Sequence, residues 1–403
     1  MMKILQHSVM MMFMPIIIVQ CEESIYTYKG CKVYDVTPMT EDDVNFLHSL
    51  TENENFDFWS LRRNVGIIST VLVKPNQQDW FENSLNEKKI PFMVKIEDLE
   101  KVLNNERQSQ LYTRNSRSSN SDGTLTFDRY YRHDEINKYL DNLAALHENF
   151  AVRTIGKSYE GRKIKAIKLT NGDGSENKNS IYIDAGTHAR EWISVATALY
   201  LIEQLTTGDS LNILNNVDVI IQPVVNPDGY EYSHKFERLW RKTRSRSSAF
   251  QCIGCDPNRN FDYHWGEVGA SNNQCSETYR GQTPFSEKET IALRDAVKEV
   301  KDSYLPETWK EIDEIAQIGA NAIANATGTK YTIGSSTNVL YAAAGGSDDY
   351  FFAVDNIPIS ITMELPGGGF FGFDMPASKI EETVKESSIG IFAMIQAVSD
   401  KYK

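Results

Sequence analysis

The chain has 403 residues, 41% hydrophobic and 24% charged, the composition of a folded globular protein with room for two or three domains. A formal charge of −13, from 42 basic and 55 acidic residues, argues against a nucleic-acid binder. Five cysteines in this length exclude a disulfide-dense scaffold.

Residues 1–21 read as a secretory signal. Lys3 precedes an uncharged apolar run over 9–19 that contains Pro15 and is too short to span a bilayer, and Val19-Gln20-Cys21 is a tolerable cleavage site. No later stretch approaches the roughly 20 apolar residues of a spanning helix. The expected protein is secreted, soluble and monomeric, in an oxidising compartment, with neither membrane nor nucleic acid as a partner.

Residues 22–108 alternate short strands and helices: strand 31–36, helix 40–50 with acids in its first turn, strand 66–73, helix 77–88, strand 90–96 and helix 98–106. This is a small α+β unit. Residues 109–126 are rich in Ser, Asn, Arg and Gly and read as a linker, in which Arg114 and Arg117 are open to a trypsin-like protease.

From 127 the pattern is α/β. A helix over 134–149 places Ile136, Tyr139, Leu140, Leu143 and Leu146 on one face. Strands follow at 151–155, 164–169, 181–185, 217–225 and 357–363, and a helix begins at Trp192. Ser378-Lys-Ile-Glu381 has the form of a capping box opening a last helix. Strands alternating with helices predict a mixed, mostly parallel sheet covered on both faces. One stretch breaks the alternation. A helix from 286 to about 301 leads into another over 308–326 with no apolar strand between them, where a βαβ sheet expects one.

The sharpest chemical signal is Asp184-Ala-Gly-Thr-His188-Ala-Arg190-Glu191-Trp192, where a strand gives way to a helix. Such a turn aims side chains into the crevice at a strand's carboxyl end, and imidazole and carboxylate are both good zinc ligands. Alone, a His and a Glu three apart are equally an ordinary helix pair. The further blocks Asn226-Pro-Asp-Gly229, Leu239-Trp-Arg-Lys-Thr-Arg-Ser245, Asp256-Pro-Asn-Arg-Asn260, Cys275-Ser-Glu-Thr-Tyr279, Tyr341-Ala-Ala-Ala-Gly-Gly-Ser-Asp348 and Met363-Glu-Leu365 complete a series in which the chain resembles A/B-type zinc procarboxypeptidases over nearly its whole length.

The resemblance implies a ferredoxin-like activation prosegment at 22–117, a zinc carboxypeptidase domain at 118–403, and one Zn²⁺ held by two histidines and a glutamate. That ligand set comes with the resemblance, not from spacing. It implies that His188 and Glu191 are zinc ligands, that Asp256 orients His188, and that Glu364 is the general base. Arg241 would stabilise the oxyanion. Asn258 and Arg259 would clamp the substrate's terminal carboxylate, Arg190 would form an accessory carboxylate site, and Tyr341 would cover bound substrate. Asp348 falls at the base of the pocket for the last side chain, where a carboxylate selects Lys or Arg; taken alone, Ser347-Asp348-Asp349 is a solvent-facing turn. Ser336 and Thr362 match further pocket positions. Cys252 and Cys275 match the family disulfide, which leaves Cys255 extra and Cys31 either free or paired with it. Asn325 opens a glycosylation sequon. The implied partners are peptide or protein C-termini and an activating protease acting at Arg114 or Arg117.

The chain departs from the family at one ligand. The third zinc ligand is a histidine between the Cys275 and Tyr341 blocks, but the seven histidines end at His264. The interval is short by about one strand and a loop, on the order of twenty residues. Ligand count and strand alternation therefore point to the same missing piece. The expectation is weak zinc binding and impaired activity, unless a substitute such as His264 is recruited. The alternative function is an inactive protein that binds peptide C-termini.

Overall fold

The computed structural model describes residues 25–116, 125–175, 178–207, 209–246, 252–299, 309–367, 372–373 and 375–401. The expected signal and Arg117 lie outside them. Among the described residues no helix is long and apolar enough to cross a membrane.

The N-terminal unit runs β1 (Lys32–Val36), α1 (Glu41–Ser49), β2 (Phe56–Ser60), β3 (Ser69–Val73), α2 (Gln78–Lys88) and β4 (Phe92–Ile96). Its strands are antiparallel in the order β2-β3-β1-β4, the ferredoxin-like arrangement. Thr40 opens α1 through a capping box with Asp43, at 3.2 and 2.9 Å, beneath an acidic first turn that complements the helix dipole. Tyr34 and Val36 meet Leu47, Phe81 and Leu85 in the core. Helix α3 (Leu99–Ser116) continues ten residues past its expected end. The polar sequence read as a linker from 109 is helical to Ser116, and α3 meets the second unit through Leu103, which packs with Leu239, and Gln110, whose oxygen accepts from Tyr130 N at 3.1 Å.

The second unit contains α4 (His133–Leu146), β5 (Phe150–Lys157), β6 (Lys163–Leu169), β7 (Asn179–Asp184), α5 (Trp192–Thr207), β8 (Val217–Gln222), α6 (Pro227–Lys235), α7 (Lys288–Lys298), α8 (Trp309–Thr327), α9 (Ser336–Val339), α10 (Ser347–Ala353) and α11 (Ala377–Lys401). The strand order is β5-β6-β8-β7. The sheet is mixed, with a larger antiparallel share than strand–helix alternation suggests: among the described strands only β7 and β8 run parallel. Val217, Val219 and Ile221 of β8 point into the main core beside Leu140, Leu199, Ile202 and Ile380. Burying each such side chain contributes about 1.5–3 kcal/mol. Leu293 and Val297 of α7 and Tyr350 of α10 form a second core with Val225 and Phe261.

The predicted strand at 357–363 is not a strand. Among the described residues it joins no ladder, although its β-branched composition suits one. A strand is stable only beside a partner, and among the described residues no strand stands between α7 and α8 to pair with it. The same gap leaves β7 at an open edge: all its residues are partly accessible, whereas those of β8 are almost all buried. Ser378 also differs from its expected role. It lies inside α11, which starts at Ala377, and so cannot be that helix's N-cap. Cys252 and Cys275 form a disulfide, while Cys31 and Cys255 are separate buried thiols, so the pairing considered between them does not occur.

Glu289 of α7 is fully buried, with one carboxylate oxygen accepting from Tyr159 N at 3.0 Å and the other unpartnered. Burial pushes its carboxyl up to about 8, outweighing the Tyr159 amide, and Glu287 and Asp228 push the same way. A carboxyl raised on folding loses stability as pH climbs from its unfolded value, about 4.3, to the folded one, with the full penalty present above it. Glu289→Gln keeps the acceptor for Tyr159 and removes the charge. Its thermal midpoint should match the parent near pH 4.5 and exceed it increasingly up to about pH 8, a gain of a few kcal/mol at about 1.4 per pKa unit. Parallel melting curves across that range would reject this if they do not separate.

Candidate functional site

The site grows from the end of β7. Gly186 takes φ +65°, and a Cβ there would meet Val195 at 2.9 Å and Pro223 O at 3.3 Å, so the turn that delivers His188 requires glycine. Asn226 caps α6 through Gly229 N (3.0 Å) and donates to Lys242 O (3.0 Å). Ala189 N donates to Arg241 O at 3.0 Å. The Asn226-Pro-Asp-Gly229 block thereby fastens the 239–245 loop over the 188–192 turn.

His188 stands between two carboxylates, with Nδ1 3.0 Å from Glu191 Oε1 and Nε2 3.0 Å from Asp256 Oδ1. Arg241 donates to the other oxygen of Asp256 from Nε and Nη2, at 3.2 and 2.8 Å. Burial and Arg241 push the imidazole down, but Glu191 and Asp256 outweigh them and its pKa is raised. Burial pushes Asp256 up; Arg241, His188 and Arg259 prevail and hold it well below the carboxylate range. Glu191 is lowered in the same way, with His188 and Arg241 overcoming burial. Asp256 is fully buried, so this compensation is what makes its charge tolerable.

Arg259, 2% exposed, donates to Gly269 O (2.8 Å), Asn258 O (2.8 Å) and the Tyr341 hydroxyl (3.2 Å). Asn258 Oδ1 accepts from the amide and hydroxyl of Ser347, at 3.0 and 3.2 Å, which ties it to the start of α10. Asp348 follows in that first turn, half-buried, and its charge reaches Asp184. Asp184 is pushed up to about 6, first by the protein around it, although its outer face is open at the sheet edge, and then by Asp348. Two acids thus share this side of the site, and sequence reading had singled out only one. Glu364 borders the cleft. Its carboxyl is pushed up, chiefly by surrounding protein despite one accessible face, then by Glu191, while His188 and Arg241 pull it down. Ser336 and Thr362 are both exposed.

Arg190 is not free. Asp57 of β2 grips it with two oxygens, at 2.6 and 3.1 Å. Arg190 is buried, so a carboxylate from the N-terminal unit occupies the guanidinium assigned to carboxylate binding. Nearby, Arg62 donates to Val339 O at 3.1 Å, and Ser271 donates to Glu52 at 2.6 Å. Sequence reading missed Asp57. Its only local signal was the alternation of Phe56, Phe58 and the polar residues between them, which marks β2.

The donor set can be tested against zinc. A catalytic zinc site uses three protein donors and an open position. His188 Nδ1 and Glu191 face each other and would supply two. Among the described residues no group of three His, Cys, Asp or Glu side chains could hold a metal. His264 is no substitute: it lies 55% exposed and pairs with Glu267 at 3.0 Å. The residues present do not fit a three-donor zinc site.

The zinc carboxypeptidase family model matches residues 136–305 and again 300–389, and the carboxypeptidase activation peptide model matches 34–106. The first match breaks in the stretch between α7 and α8. The chain is 40% identical over 299 residues to carboxypeptidase B of Astacus astacus, across 68% of this chain and 98% of that protein. It is 35% identical over 396 residues to carboxypeptidase B of Rattus norvegicus, across 90% and 92%. The crystal structure of carboxypeptidase A from Helicoverpa armigera superposes with a TM-score of 0.85 at 30% identity, covering 93% of this chain and 99% of that one.

Proposed function

The chain belongs to the zinc carboxypeptidase family and carries its activation peptide, and from this we propose a secreted zymogen that selects peptides ending in Lys or Arg but turns them over poorly. The observation that carries the reading is the two-pronged hold of Arg190 on Asp57. A carboxylate of the N-terminal unit sits on a guanidinium fork beside His188, Glu191 and Arg241, a contact a substrate carboxylate would have to displace.

In this reading Asn258 and Arg259 bind the terminal carboxylate, Arg190 offers an accessory carboxylate site, and Tyr341 closes on the substrate from its position beside Arg259. Asp348, with Asp184 beyond it, gives the pocket a negative wall for a cationic side chain. Asp256 would orient His188, Arg241 would meet developing negative charge, and Glu364 would take the proton. Zinc, the family's cofactor, supplies Lewis acidity when bound. The missing third donor supports poor retention here. The same gap supports the second reading, a protein that binds C-termini without turnover.

Residues 1–21 and the Cys252–Cys275 disulfide support export into an oxidising compartment. For activation, Arg114 lies in the last turn of α3, and a protease must unwind that turn to reach it.

Asp348→Ala tests the specificity. A charge-assisted hydrogen bond contributes about 1.5–3 kcal/mol, so the trypsin-activated variant should bind a peptide ending in Arg about ten- to hundredfold more weakly. Affinity for the same peptide ending in Leu should hold or rise. Calorimetric titrations in which both peptides weaken equally would refute the assignment of Asp348.

A further inference from the structure

A cavity of about 100 Å³ lies between α3 and the start of α5 and end of α6, away from His188 and Glu191. That is several times the roughly 10–15 Å³ that a single water needs. Its wall carries both signs of charge, but the acids are already engaged. Glu106 is held by Arg238 at 2.6 and 3.0 Å, and Glu100 accepts from Tyr28 N and Thr27. The cation Arg132 is likewise committed, to Glu231.

What is left in the wall is donor chemistry. Arg107 and Arg114 have no carboxylate partner among the described residues. The Nε2 atoms of Gln110 and His234 are buried without any hydrogen-bond partner. Gln110 is fixed in this orientation because its oxygen accepts from Tyr130 N at 3.1 Å. His234 is fixed by its stack on Trp192, with centroids 3.8 Å apart. Burial above all keeps that imidazole neutral, and with its single proton on Nε2 it is a further donor toward the cavity. Arg107, Gln110 and Arg114 follow i, i+3, i+7 spacing and share one face of α3. A buried donor left unpaired costs about 1–3 kcal/mol, and the buried Nε2 atoms of Gln110 and His234, with half-buried Arg107 and exposed Arg114 at the rim, call for an acceptor from outside the chain.

We propose that this cavity binds a small oxyanion of the phosphate or carboxylate class, bridging the activation peptide to the catalytic unit. The occupant ties the last turns of α3 to α6 and so slows proteolysis at Arg114. The binding claim stands on the cavity alone; the proteolysis claim also rests on the zymogen reading above.

Equilibrium dialysis of the full-length chain against radiolabelled inorganic phosphate, in chloride buffer of constant ionic strength, tests the site. One saturable phosphate per chain is expected, competed by acetate if carboxylates share the site. Affinity should fall at least tenfold in Arg107→Gln and in His234→Phe, which keeps the stack on Trp192. Phosphate at saturation should also slow tryptic cleavage of the parent several-fold and leave Arg107→Gln unaffected. Absence of saturable binding, or binding that neither variant weakens, would overturn the site and leave a cavity filled by water. Binding that both variants weaken, with cleavage unchanged by phosphate, supports the site and overturns the link to activation.

Discussion

After tryptic removal of the N-terminal unit, the protein should hydrolyse a peptide ending in Arg at least about a hundredfold more slowly than a carboxypeptidase B relative, while still binding it. Losing a partner that merely orients a metal ligand costs about 10–100-fold in metal affinity or activity, and losing a ligand itself exceeds that. Binding survives because the groups expected to hold the peptide end are independent of the missing strand. Arg259 is braced by Gly269 and Asn258, Asn258 by Ser347, and Arg190 becomes available once Asp57 leaves. Peptide titration by calorimetry, paired with chromatographic release of free Arg, separates the two properties. A rate within tenfold of the relative's would refute the impairment, and loss of binding would refute the intact pocket.

The second large effect is expected at Glu106. Its ion pair with Arg238 is nearly dry, with side chains 5% and 6% exposed, and it joins α3 to the catalytic unit. Arg238 also donates to Arg190 O at 2.9 Å and lies 3.6 Å over the Trp192 ring. Removing one partner of a buried pair leaves the other charge uncompensated, at about 3–5 kcal/mol. Glu106→Ala should sit at the lower end, because Arg238 keeps its carbonyl acceptors. Amide exchange along α3 should accelerate by about two orders of magnitude, which is 3 kcal/mol at 1.4 per decade. Exchange unchanged in α3 would show that the pair does not fasten the two units.

The sequence was most legible where a local rule and the tertiary environment agree. The apolar runs of β6 and β8 and most of the helical face of α4 needed nothing beyond pattern and turn signals; only Leu146, expected on that face, lies 73% exposed where α4 ends. Helix α3 ran past its expected end because its polar second half gains a surface to lie on, a context that overrides weak propensity. The strand expected at 357–363 failed for the opposite reason: its composition is right, but among the described residues no neighbouring strand pairs with it. In the site, His188, Glu191 and Asp256 lie in compact blocks and were readable. Asp57 and Glu106 were not, since each meets its arginine more than 130 positions away, at sequence separations of 133 and 132, and neither pairing leaves a local mark.

Metal content decides the central claim most directly. The full-length chain, dialysed against buffered micromolar zinc and then against zinc-free buffer, should retain well under one zinc per chain by elemental mass spectrometry, because among the described residues no third His, Cys, Asp or Glu joins His188 and Glu191 in a metal-holding group. Insertion of a strand-and-loop segment bearing a histidine between α7 and α8 should raise it to one. One tightly held zinc per chain in the unaltered protein, lost in His188→Ala, would contradict the account.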